Sequence, residues 1–186
     1  MKRPYFMLMF LGLILFSACS SAKIISDIDQ RTDFTQYKTY TWSPKEDPMN
    51  KNYPQFDNSL NRERFRDAID VAMQNRGYIL KEGEADLEVD FHLQFERNIV
   101  PGNNHEDEMG NPYIDLRPTS TTTYQYDQGT LIVHLVDLKE NRIVWQGVAT
   151  KVLDIKRLEE AEVTIQLTVD RMFEKLAKQL AKQTSS

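Results

Sequence analysis

The residues of this chain that could do chemistry are few: three histidines, one cysteine and a surplus of carboxylates. His92 lies between Asp90 and Gln94 in an alternating stretch, and His134 interrupts the apolar run Leu131 to Val136. If those two stretches pair as neighbours, the imidazoles could approach each other and hold a metal ion. Neither has the H-x-x-x-H or C-x-x-C spacing of common zinc sites. The expectation is therefore a half-exposed His92, a hydrogen-bonded His134 and no metal or other cofactor. His105 begins the acidic stretch "HEDEMG". Read as a calcium loop with Gly110 at the sixth position, it would put His105 first and Met109 fifth, both wrong ligands for a hard cation. No G-x-S-x-G occurs, and spacing alone identifies no carboxylate acid/base pair. Trp42, Trp145, Tyr124 and Tyr126 could line a ligand groove but fit cross-strand packing better. Gly129 and Gly147 open no helix, so they read as bulges or close contacts and not as phosphate cradles.

Cys19 is the only cysteine in 186 residues and follows the small pair Ser17-Ala18. Lys2 and Arg3 give a positive start, and Tyr5 to Phe16 is apolar apart from Gly12 and the tyrosine hydroxyl. A basic start, a short apolar run and small residues at a cut site describe a secretory signal peptide. The run is ~12 to 14 residues, against the roughly 20 that span a bilayer. Phe16-Ser17-Ala18-Cys19 resembles the bacterial lipobox, with Phe where Leu is usual. The resemblance implies that Cys19 becomes the acylated first residue of the mature chain, carrying palmitate-type chains. One acyl chain binds a membrane only marginally, but several give a stable anchor. Ser20 instead of Asp after the cysteine implies sorting to the outer membrane, periplasmic face, of a Gram-negative bacterium.

These groups must be positioned by a single folded unit. Residues 1–18 read as signal peptide, 19–23 as a lipidated tether and 24–183 as one domain. Ile24 to Thr32 and Tyr37 to Trp42 read as strands, and Ser43 to Phe56, with three prolines, as a loop. Asp57 to Arg76 reads as a helix with Leu60, Phe65, Ala68, Ile69, Ala72 and Met73 on one side and Gly77 beyond its end. From Ala85 to Glu96, Leu87, Val89, Phe91, Leu93 and Phe95 alternate with polar residues, as in a strand with one wet face. Residues 97–121, rich in proline and acid, read as a long mobile loop. Leu131 to Val136 reads as a central strand covered on both sides, and Arg142 to Leu153 as its hairpin partner. Leu158 to Gln183 reads as a long amphipathic helix. The fold class expected is α+β: a two-layer sandwich of a mostly antiparallel sheet of about five strands with two helices on one face.

Removing the signal peptide takes away Lys2 and Arg3 and leaves 21 basic against 28 acidic residues. That balance argues against nucleic acid, whose affinity rests largely on Lys and Arg phosphate contacts. No cysteine remains for a disulfide, so packing must carry the stability.

Further along the chain stand Asp33-Phe34, Tyr37-Lys38-Thr39-Tyr40 and Trp42, Gly77-Tyr78, and Ala85-Asp86-Leu87. Gly129-Thr130-Leu131, Leu135-Val136-Asp137 and Val144-Trp145-Gln146-Gly147 with Ala149 follow. Together, in this order, they resemble the bacterial lipoprotein family called domain of unknown function 4136. In the family the residue at Gln146 is often basic, so this chain departs there. The resemblance covers roughly residues 24 to 180. It implies a periplasmic lipoprotein domain and carries over no catalytic residues.

The function expected is that of a lipid-anchored envelope protein, non-catalytic, that binds an envelope protein or a small ligand and touches the membrane through acylated Cys19. The alternatives are an envelope hydrolase with a site under the 97–121 loop, or a metal-binding module using His92 and His134. Two helices can cover only one sheet face. Val144, Val148 and Val152 are therefore the candidate partner face, to be covered by that loop, a second copy or a partner.

Overall fold

The computed structural model describes residues 22–102 and 122–183. The signal segment, Cys19, His105 and most of the acidic loop lie outside the described residues. Within them, β1 (Lys23–Ile28), β2 (Thr39–Trp42), β3 (Ile79–Leu80), β4 (Leu87–Gly102), β5 (Thr122–Asp137) and β6 (Arg142–Val152) form one sheet, with helices α1 (Ser59–Gln74) and α2 (Ala161–Gln183). The strand order is β1-β6-β5-β4-β2-β3. The pairs β1/β6, β5/β6 and β4/β5 are antiparallel, whereas β2 runs parallel to both β4 and β3.

The expected mostly antiparallel sheet of about five strands is thus a mixed six-stranded one: β1, β6, β5 and β4 run antiparallel, and β2 and β3 add a parallel edge. β3 escapes sequence reading because two residues show no period. β4 also runs past residue 97, where the loop is expected to begin. β4 and β5 pair from Leu87↔Asp137 out to Gly102↔Thr122, so Asn98, Ile99 and Val100 extend the strand. β5 is indeed central, but only one of its faces is fully covered. Leu131, Val133 and Leu135 are buried, while Ile132, His134 and Val136 are half-buried.

One core joins the helices to that face. Ala68, Ile69, Ala72 and Met73 from α1 and Ile165, Val169, Met172, Phe173 and Leu176 from α2 pack with Leu87, Val89, Val133, Leu135 and Trp145. Leu60, expected on the same stripe, points outward and is exposed. Asn58 caps α1 by accepting a hydrogen bond from the Asn61 N–H at 3.0 Å. At the other end Gly77 takes φ +86°, and its N–H and that of Tyr78 donate to the Gln74 and Met73 carbonyls, closing a Schellman turn.

Gly147 is required by packing: a Cβ there would stand 2.5 Å from Cη2 of Trp145 and 2.8 Å from Cε of Met172. Along α2, Lys175, Gln179 and Gln183 donate in turn to the carbonyls of Ile24, Ser26 and Asp29, on and just beyond β1. Residues four apart share a helix face, so these three form one polar rail.

Candidate functional site

On β4 the alternation turns Glu88, Asp90, His92 and Gln94 to the face away from the helices. The strand register then does what spacing could not. Asp90 pairs with His134, and His134 with Gln146, so the three stand in one row across β4, β5 and β6. His92 lies two residues along, opposite Ile132. Its ring centroid is 5.4 Å from that of His134.

The two imidazoles converge on one carboxylate oxygen. Oδ1 of Asp90 is 2.8 Å from Nδ1 of His134 and 3.4 Å from Nε2 of His92. The outward nitrogens are also held: His92 Nδ1 is 2.7 Å from Oδ2 of Asp47, and His134 Nε2 is 3.1 Å from Oε1 of Gln146. Asp47 comes from the proline-rich segment before α1, where sequence gave no sign of it. Arg62 of α1 fixes that segment by donating to the Asp47 carbonyl at 2.6 Å and to Asp57 at 2.6 and 3.1 Å. The Asp90 hydrogen bond raises the His134 pKa above 6.5, against an opposing effect of burial. The side chain of His134 is 15% exposed and that of His92 34%, so solvent reaches the cluster from the His92 side.

A second feature lies on the helix face. A cavity of about 360 Å³ opens between the sheet and the N-terminal halves of both helices. Phe65, Leu93, Leu131, Ala149, Leu158 and Ile165 give it an apolar lining, and Asn61, Lys151 and Arg157 add polar groups. Ala22, the first described residue, is part of its wall.

The valines named from sequence do not share a face. A register shift between Leu135 and Val136 leaves Val144 without a strand partner, and it is buried at 1% exposure beside the equally buried Trp145. A bulge adds one residue and reverses the parity beyond it. Val148, opposite Ile132, keeps the parity that faces away from the helices and is half-buried, whereas Val152, opposite Gln128 at the end of the strand, is exposed and borders the cavity. Polar residues break up the aliphatic character of that face: Thr130 meets Thr150 at 3.2 Å between the valines, and His134 meets Gln146. Of the aromatic residues, Trp145 is core, Trp42 packs edge-on to Phe91, and Tyr124 is exposed.

The family model "Domain of unknown function (DUF4136)" matches residues 24–176. Comparison with curated proteins returns no match. Among solved structures, a DUF4136 family protein from Bacteroides thetaiotaomicron is 16% identical, with 86% of this chain and 97% of that one covered and a TM-score of 0.52. A PDZ domain protein from Parabacteroides distasonis is 12% identical with a TM-score of 0.48, the likeness covering 82% of this chain but only 36% of that longer one. A minor lipoprotein from Acinetobacter baumannii is 10% identical with a TM-score of 0.41, covering 80% and 95%. The Bacteroides protein shares the fold, and the family model spans most of this chain. The chain belongs to the DUF4136 family.

Proposed function

We propose that the protein is a lipid-anchored, non-catalytic envelope module that binds an apolar small molecule in the cavity between its sheet and its helices. The cavity carries this reading. Small-molecule sites are usually concave, largely apolar and roughly 300 to 1,000 Å³, and this one is about 360 Å³. The anchor supports the same reading. Ala22 borders the cavity and lies three positions after Cys19, a reach of at most ~10 Å. An acylated Cys19 would hold the cavity close to the bilayer surface, where apolar molecules partition. Anchoring at the periplasmic face of an outer membrane belongs to the same proposal. So does a partner surface around Val148 on the opposite sheet face.

The test is a fluorescence titration of the full chain, purified in detergent, with N-phenyl-1-naphthylamine. Binding should saturate at one probe per chain. Ala161→Trp, which fills the cavity from the start of α2, should weaken it at least tenfold while leaving the unfolding temperature unchanged. A titration that Ala161→Trp does not alter would rule out this cavity as the site.

A further inference from the structure

We propose that Asp90, His92 and His134 form a binding site for a divalent transition-metal cation of the zinc type, on the sheet face turned away from the helices. One nitrogen from each histidine and one carboxylate oxygen lie within 4.8 Å of one another. In tetrahedral zinc sites the metal–ligand bonds of about 2.0–2.2 Å set neighbouring ligand atoms roughly 3.3 Å apart. The Asp90 oxygen stands 2.8 and 3.4 Å from the two nitrogens, on either side of that figure. A cation can therefore enter by small side-chain rotations, without moving the strands.

The outer contacts strengthen the inference. Metal-bound histidines almost always donate their second ring N–H to a carboxylate, a carbonyl or water, which fixes the tautomer and aims the other nitrogen. Both histidines have such an acceptor, Asp47 at 2.7 Å and Gln146 at 3.1 Å. With the outer nitrogens donating, the inner ones point lone pairs at the Asp90 oxygen. In that tautomer three acceptors face one another, an arrangement that a shared cation satisfies. Protons can satisfy these contacts pair by pair, whereas a metal ion satisfies all three at once. Among the described residues, the ion pairs of Asp90 are with the two histidines, while Asp47 also feels the charge of Arg62. The Asp90 carboxylate is thus the negative charge that a cation would meet at the site.

The donor set chooses the metal class. Two imidazoles and one carboxylate suit zinc, copper(II) or nickel(II), whereas calcium and magnesium take all-oxygen shells. Three protein ligands leave a fourth position, and the 34% exposure of His92 opens it to water or an incoming ligand. Because the ligands stand on paired strands, the site is held by the sheet and not by a loop.

The experiment uses the full chain in detergent, stripped with chelator and free of any histidine tag, titrated calorimetrically with zinc chloride. One zinc should bind per chain with a Kd of about 10 µM or tighter, and magnesium chloride should give no binding. His92→Gln and His134→Gln should each weaken binding at least tenfold, and Asp47→Asn by roughly 10- to 100-fold. Imidazole nitrogen NMR of the wild type gives a readout independent of variant folding: zinc should shift Nε2 of His92 and Nδ1 of His134. No binding at about 100 µM zinc would overturn the proposal. So would binding that survives the double histidine variant, or shifts at the nitrogens facing Asp47 and Gln146 instead.

Discussion

Trp145 and Gly147 stand two residues apart on the same face of β6, and the indole fills the space that a side chain at Gly147 would need. The neighbours cannot give way easily, since Trp145 and Met172 are both buried. Gly147→Ala should therefore destabilise the domain by about 1–3 kcal/mol, the usual cost of forcing a methyl into a filled core. Urea unfolding should show a lower midpoint with an unchanged slope. A midpoint equal to the wild type would mean that the indole has room to move.

Asp86 offers a test in pH. Its Oδ2 accepts the backbone N–H groups of Lys38 and Thr39, each at 2.8 Å, and the Thr39 hydroxyl at 2.9 Å. The hydrogen bonds from Lys38 and Thr39 lower its pKa below 3.8. A depressed carboxylate contributes stability that is complete above the unfolded pKa and is lost as pH falls through the folded one. Asp86→Asn should thus melt at a lower temperature than the wild type at pH 7. The gap should narrow once the pH drops below the unfolded value of 3.8. A gap of constant size down to about pH 2 would show that ionisation of Asp86 is not what ties β2 to β4.

Val144, at the bulge, and Val148, four residues on, should respond oppositely to charge. Val144 is 1% exposed, so Val144→Asp should cost several kcal/mol by burying a carboxylate without a partner. Val148 is half-buried on the other face, and Val148→Asp should fold with near-native circular dichroism. Equal loss of structure in both variants would place Val148 in the core as well.

Cys19→Ala should abolish incorporation of labelled palmitate and release the protein from the membrane fraction or leave it unprocessed. The lone cysteine after Ser17-Ala18 motivates this. Labelling equal to that of the wild type would end the lipoprotein reading.

Periodic segments were readable from sequence and register was not. The alternation from Leu87 to Phe95 and the helical repeat from Ile165 to Leu180 identify β4 and α2, because each period reports directly which side meets the core. Nothing in the chain around His92 and His134 says that they meet. That depends on Asp90 facing His134 and not a neighbour, and a one-residue slip would send one imidazole to the opposite face. Asp47 is harder still, since its position follows from the hold of Arg62 on an irregular segment. The misplacement of Val144 has the same origin: one bulged residue, invisible to a two-residue period, moves it into the core.

The polar rail of Lys175, Gln179 and Gln183 along β1 has a consequence for crowding. β1 is a sheet edge, and an edge strand with free carbonyls is a template on which another chain can add a strand. Here the carbonyls of Ile24, Ser26 and Asp29 are already occupied by α2 side chains. A protein tethered to a membrane meets its own copies in two dimensions, at far higher local density than in solution. With the proposed anchor at Cys19, the rail would keep these three carbonyls from strand exchange between neighbouring copies.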